Sequence, residues 1–378
     1  MNKWKTFFAW LGSIQLTLFC LAMMMLLIFF GTLAQAKIGT FAAQREYFNQ
    51  FFVWSTIHGE RLPLLPGGLT VGSLWFANLV AAFVMRFRFE RKSIGILMSH
   101  FGLILLLIGQ GVTQRLAIES QMPVQEGSSS NFSESTFETE LAFVMTSDPA
   151  YDEVVSIPYR LFSEEGVIHA PPLPFEVRIV RFFRNADLSM SQGTTPATQG
   201  VGARIAVRDL PPTYSDTERN VNTAYVELLK DGKSLGTWLV SMALGAPQSV
   251  NVDGKEYRIF IRPRRLYYPF TVTLNKFRHD IYPGTEIPKN FSSAVRLENK
   301  ASGESRDALI YMNHPLRYAG NTFYQASFAE NDTVSIFQLV RNPAWVTPYV
   351  GCLLVALGLL VQFMMHLVEF IDGRKEAT

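Results

Sequence analysis

Cysteine is scarce in this chain. Of 378 residues only Cys20 and Cys352 are cysteines, and each lies inside a long apolar run. Residues 114–343 contain none, which excludes a disulfide framework, a CxxC redox pair and a cysteine zinc site from that region. There is no CxxCH, so the chain is not itself a c-type cytochrome. Both cysteines read as small packing residues. Charge of one sign is also scarce: 34 Lys and Arg against 32 Asp and Glu leave a net charge of +2, which excludes a strong nucleic-acid field. A GxSxG elbow, an HExxH pair and a glycine-rich phosphate loop are all missing, so a hydrolase or nucleotide-binding reading has no support.

What the chain has in quantity is apolar sequence. It is 48% hydrophobic and 13% aromatic, with mean hydropathy +0.13. That balance fits neither an average soluble protein nor a pure helix bundle, and implies membrane spans joined to a soluble part. A bilayer core of ~30 Å needs ~20 apolar residues in a helix. Four runs qualify: residues 7–30, 69–85, 94–112 and 344–370. The first ends near Ala34-Gln35-Ala36, which resembles a signal-peptidase site. It is longer than the ~7–15 apolar residues of a secretory leader, and therefore reads as an uncleaved anchor. Lys3 and Lys5, the Arg86–Lys92 turn, and Arg374 with Lys375 fall on one side of four consecutive spans. The positive-inside rule makes that side cytoplasmic. Trp10 and Trp345 fall near span ends, where interfacial anchors sit.

The implied organisation has five parts. Residues 1–36 form the first helix with a cytoplasmic N-terminus, 37–68 an external loop, 69–113 a helical hairpin, 114–343 an external domain, and 344–378 the fourth helix with a cytoplasmic tail. The expected location is a bacterial inner membrane, which would make the large domain periplasmic; an organelle equivalent would make it lumenal. That domain reads as strands at residues 140–146, 174–183, 203–208, 270–277, 293–298, 308–312, 322–328 and 334–340. Two hairpins turn at Asp231-Gly232 and Asp253-Gly254, between strands 225–230 and 233–240, and 249–252 and 255–262. Residues 189–202 and 211–222 read as loops. The fold class is membrane α+β: four transmembrane helices, with a large antiparallel β-rich domain, sandwich or barrel-like, inserted between helices 3 and 4. His169, His279 and His314 lack metal-ligand spacing and read as ordinary sheet-surface residues.

The spans hold the more informative ionisable groups. His100 lies about six residues into the third span, ~9 Å deep at 1.5 Å per residue. An intramembrane histidine is a functional hypothesis by default; a structural role, bonded to a backbone carbonyl or hydroxyl in the bundle, stands beside it. Gly95, Gly102 and Gly109 repeat every seven residues, nearly opposite His100 on a helical wheel. That face can pack closely on a neighbour while the other presents the imidazole. In the fourth span Gln362, His366 and Glu369 share one face, which Gly351 and Gly358 continue outward. His366 sits at a depth similar to His100, or is simply hydrated at the interface.

Four segments then resemble a known family. They are the first span running into Gly31-Thr32-Leu33; His100-Phe101-Gly102 through Gly109, followed by Glu126-Gly127; residues 270–277 with Tyr282-Pro283 and Ser292-Ser293; and the stretch Met312-Asn313-His314-Pro315-Leu316-Arg317-Tyr318 through Gly320, Phe323, Tyr324 and Gln325. The last is the most specific. Together they resemble ResB-type (CcsB-type) proteins of System II cytochrome c maturation, over nearly the whole chain. The resemblance implies a ResC/CcsA-type membrane partner bearing a tryptophan-rich haem-presenting segment. It implies that the pair moves haem (b-type, transiently bound) across the membrane to the CxxCH of apocytochrome c. It points to His100 as a haem axial ligand, its metal being the haem iron, with His366 as the second-choice alternative. No catalytic residue is implied, and the chain is expected to be non-catalytic alone, a subunit of a cytochrome c synthase (haem lyase) complex. The six tryptophans are scattered, so this chain reads as the ResB half alone, short for the family. The competing reading is a non-haem anchored scaffold or sensor whose β domain binds a partner.

Overall fold

The computed structural model describes residues 3–57, 60–86, 93–146, 151–162, 166–191, 193–213, 220–285, 287–329 and 332–376. Most of the expected basic turn (87–92) and part of the expected loop 211–222 lie outside those residues. Two compact units separate close to Ala117 and Asn342.

The first unit is helical. It contains α1 (Lys3–Leu11), α2 (Ile14–Ile38), a single turn α3 (Thr40–Ala43) that runs into a π-helical turn, α4 (Gly68–Arg86), α5 (Ile94–Leu116) and α6 (Thr347–Glu376). A hairpin of β1 (Phe52–Ile57) and β2 (Glu60–Pro66) occupies part of the stretch read as loop. Among the described residues four helices are long and apolar enough to cross a membrane: Ile14–Ile38, Gly68–Met85, Ile94–Leu116 and Thr347–Asp372.

The first span differs from the expected run 7–30, because the chain breaks at Gly12-Ser13 and the long helix extends on to Ile38. Ser13 caps α2 by accepting the Leu16 N–H at 3.3 Å. Asn78 of α4, only 1% exposed, reaches across to the break. Its amide donates to the Leu11 and Ser13 carbonyls at 2.6 and 3.0 Å and accepts from the Thr17 hydroxyl at 2.7 Å. Carbonyls released by a helix break in an apolar setting need such a partner. Gly12 permits the approach, since a Cβ there would stand 2.9 Å from the Ala82 nitrogen.

The second unit is antiparallel β. Its strands are β3 (Ile118–Gln125), β4 (Ser129–Met145), β5 (Glu153–Pro158), β6 (Val167–Ile168), β7 (Glu176–Phe183), β8 (Ala186–Met190), β9 (Ile205–Asp209), β10 (Thr223–Lys230), β11 (Lys233–Ser241), β12 (Gln248–Val252), β13 (Lys255–Ile281), β14 (Pro288–Asn299), β15 (Glu304–Tyr311), β16 (Leu316–Tyr318), β17 (Asn321–Ala329) and β18 (Val334–Arg341). The largest sheet runs β15-β14-β13-β4-β3-β18-β17-β16, with β12 on β13 and β5 on β4. A second sheet runs β11-β10-β7-β6, and β8 pairs with β9.

β13 joins two cores. Its first part sends Ile259 and Ile261 into a layer shared with Leu141, Phe143, Val177, Ile179, Val226 and Val240, between the two larger sheets. Its last part sends Phe270, Val272, Leu274 and Phe277 into a second core with Val295, Phe323 and Phe337. There the sheet rolls until β15 approaches β16 and β17. Sandwich and barrel-like packing therefore coexist in one unit. Register shifts opposite β4, at Pro263/Arg265 and Tyr267/Val272, accommodate the change of direction. The expected strands 255–262 and 270–277 are thus two parts of one strand. Residues 189–202, read as loop, begin in β8.

Candidate functional site

α5 carries His100. Its Nδ1 lies 2.9 Å from the Ile96 carbonyl oxygen, four residues earlier. A carbonyl only accepts, so Nδ1 is the donor of this bond. Histidines that bind metal are commonly held this way, with the second nitrogen donating to a fixed acceptor. The carbonyl bond is also the structural role weighed from sequence, and both are compatible.

The opposite face of α5 is sealed. Gly95, Ser99, Gly102 and Gly109 are its buried residues, and they face α6. A Cβ on Gly102 would fall 2.8 Å from both the Gly351 carbonyl oxygen and the Val355 side chain. The Ser99 hydroxyl, bonded to the Gly95 carbonyl at 3.0 Å, lies against Gly358. The seven-residue glycine stripe therefore does what its spacing implied: it lets two helix backbones approach closely.

This pairing also fixes levels along the helices, and corrects one expectation. His100 adjoins the turn facing Gly358, whereas His366 lies two turns further along α6, roughly 12 Å at 1.5 Å per residue. The two histidines are not at similar depth. The imidazole of His366 is largely exposed; its Nε2 accepts from the Gln362 amide at 2.9 Å, and Glu369 lies 3.9 Å from Nδ1.

In the β unit the distinctive segments converge on the rolled core. The Glu126 carboxylate accepts the Phe277 N–H at 3.1 Å, and Gly127 donates to the Leu274 carbonyl at 2.8 Å. Together they hold the bulge in β13 between Leu274 and Lys276. Ser293 donates to Gln325 at 2.6 Å, and Gln325 donates to the buried Ser335 at 2.9 Å. The two segments that contain Ser293 and Gln325 are thus joined by one buried polar chain. Asn313, Ala319 and Gly320 adopt positive φ of 62°, 47° and 75° and turn the chain twice, while Phe323 is fully buried. Residues 313–325 are accounted for by turns, core and hydrogen bonds.

Three histidines expected on sheet surfaces divide two to one. His169 is exposed beside Glu176, and exposed His314 stacks on Tyr311 at 4.3 Å. His279 is partly enclosed instead, its side chain 16% exposed. Its ring lies 4.5 Å from Phe291 and 4.8 Å from Phe328, its Nδ1 faces Asp332 at 3.3 Å, and its Nε2 is buried without a hydrogen-bond partner. Neighbouring Arg278 and Asp280 gave no sign of this, because Phe328 arrives from a distant strand.

Between β4 and β13 runs a ladder of ion pairs: Glu134 with Arg265, Glu138 with Arg264 and Arg160, Glu140 with Arg262. Burial pushes the Glu138 carboxyl up, but Arg264 and Arg160 outweigh it and hold the group below its ordinary range. Among the described residues no group of three or more His, Cys, Asp or Glu is placed to hold a metal ion.

Residues 247–337 match the ResB-like family. They run from just before β12 into β18, and so include the whole Glu126-clamped bulge of β13 and the Ser293–Gln325–Ser335 chain. Protein NrfI of Wolinella succinogenes is 23% identical over 310 residues, covering 77% of this chain and 30% of NrfI. Cytochrome c biogenesis protein CcsB of Synechococcus sp. is 33% identical over 120 residues, covering 30% of this chain and 26% of CcsB. The chain thus spans less than a third of the length of either relative.

Proposed function

We propose, from the premise that this chain is ResB-like over residues 247–337 and homologous to NrfI and CcsB, that it is a subunit of a System II cytochrome c maturation complex. In this reading it helps to move haem across the bacterial inner membrane and to deliver it to apocytochrome c. A ResC/CcsA-type membrane subunit is its partner. The observation that carries the reading is the ResB-like match itself, which falls on the rolled core and the segments that build it.

His100 is the residue assigned to haem. The Ile96 carbonyl orients its ring, and Nε2 is the nitrogen that would ligate the iron. His366 is the second choice, because the resemblance points to the third-span motif that contains His100. The close α5–α6 seam keeps His100 in place from behind. The basic residues at the helix ends support an orientation with both termini in the cytoplasm and the β unit in the periplasm.

Co-purification of the full chain with its partner, followed by a haem spectrum, tests the assignment. His100→Gly should lose the haem band and regain it with added imidazole, while His366→Gly keeps it. An unchanged spectrum in the His100→Gly complex defeats the ligand assignment. A colourless wild-type complex from haem-replete cells favours the non-haem scaffold instead. For orientation, a phosphatase fused near residue 200 should be active and one at the C-terminus inactive.

A further inference from the structure

A groove of about 870 Å³ opens on the face of β13 turned away from the sandwich core, beneath the connection from β11 to β12. Its volume falls in the range of small-molecule sites, which are mostly apolar with a few placed polar groups. Phe132, Phe260, Tyr151 and Tyr267 supply rings, and Met242 and Leu244 supply aliphatic surface. Three arginines line it, Arg258, Arg262 and Arg265, against one acidic residue, Asp152.

Two of those arginines are held ready from behind. Arg262 is buried, and its Nε donates to Glu140 at 2.8 Å while Ser156 fixes the same carboxylate at 2.5 Å. Arg265 lies flat over Phe132, 4.0 Å from the ring centroid, with its Nε on Glu134 at 3.1 Å. Both carboxylates take Nε and leave the terminal amino groups of the guanidinium, of which Arg262 Nη2 makes only a long 3.5 Å bond to the Tyr267 hydroxyl of the groove wall. Those groups grip a carboxylate in parallel bonds. Arg258 is exposed and makes no ion pair among the described residues. The groove thus presents preset cations beside aromatic walls, with its compensating acids set behind the arginines.

The geometry points to a binding site for an apolar molecule bearing a carboxylate. Two sources share that chemistry: a flat porphyrin dicarboxylate and a fatty acid. Nothing in this inference depends on His100.

The test uses the full chain in lipid nanodiscs and two fluorescent probes, iron-free protoporphyrin IX and a dansyl-labelled fatty acid, each with its methyl ester. Absence of iron removes any contribution from histidine ligation. At least one acid should bind saturably, and that acid identifies the source. Arg258→Glu and Arg265→Gln should each weaken it by about tenfold or more, and the ester should not saturate. Arg258 is exposed, so its replacement leaves folding intact, as circular dichroism will check. If neither acid saturates, or if binding ignores Arg258→Glu or esterification, the inference is overturned.

Discussion

Gly95 and Gly358 meet backbone to backbone: a Cβ on Gly358 would stand 2.6 Å from the Gly95 carbonyl oxygen, and one on Gly95 2.5 Å from that of Gly358. Neither neighbour is a side chain that can swing away, so even a methyl group must part α5 from α6. Gly95→Ala is expected to cost about 1–3 kcal/mol through overpacking. Gly111, with nothing near its Cβ position, is the control. Gly111→Ala should be neutral or stabilise by up to about 1 kcal/mol through helix propensity. Detergent-driven unfolding of the two variants decides the matter, and equal stability would remove the seam as a cause of helix pairing.

This seam was legible because glycines spaced seven residues apart, at 95, 102 and 109, map directly onto one helix face. The hairpin turns were legible for a similar reason. Asp231-Gly232 and Asp253-Gly254 both adopt the positive φ that this pair favours, at 51° and 72° and at 54° and 75°. The break at Gly12-Ser13 was not legible, since hydropathy averages across it and its partner Asn78 lies far along the chain. β3 was also missed. Its Glu119, Gln121 and Pro123 hide an alternation in which Ser120, Met122 and Val124 face inward, and a buried serine at such a position looks polar until Ser133 bonds to it at 2.8 Å. The difference in level between His100 and His366 was invisible because it depends on which glycine of α5 meets which glycine of α6.

His279 offers a test of what buried polarity costs. Among the described residues its Nε2 has no hydrogen-bond partner, and its ring packs against Phe291 and Phe328. Replacing a poorly satisfied polar group by an apolar one of similar shape is nearly neutral or stabilising. His279→Phe should therefore melt at or above the wild-type temperature, and Asp332, half exposed, can remain hydrated. His279→Ala should destabilise by about 2–4 kcal/mol, because it leaves a cavity beside two rings. A His279→Phe variant as unstable as the alanine variant would show that Nε2 has a role the packing does not explain.

The Arg262–Glu140 pair predicts an asymmetry. Both side chains are under a tenth exposed, and their shortest contact is 2.8 Å. Removing one partner strands a buried charge, so Arg262→Met alone should cost about 3–5 kcal/mol. Replacing both, as Arg262→Met with Glu140→Leu, should recover most of that loss. Chemical denaturation of the single and double variants measures the coupling. Costs that simply add would mean that the two charges are stabilised separately, by water or by Ser156.

Acid should weaken the β unit through the same ladder. Glu138 is held below its ordinary range despite partial burial, by Arg264 at 2.7 Å and by Arg160. Asp307 is held below its range by its hydrogen bond and charge pairing with Arg296 at 2.9 Å. A carboxyl depressed in the folded state binds its proton more readily once unfolded. The stability it lends is therefore present above the unfolded carboxylate range, about pH 4. It is lost as pH falls through the lower folded values. Asp307 is fully exposed and contributes little under solvent screening; Glu138 is the more enclosed of the two. Near-ultraviolet circular dichroism of the full chain should show the melting temperature falling as pH drops below about 4. Glu138→Gln should flatten that fall, whereas Asp307→Asn should leave it almost unchanged. If Glu138→Gln keeps the wild-type slope, the ladder between β4 and β13 is not what acid disrupts.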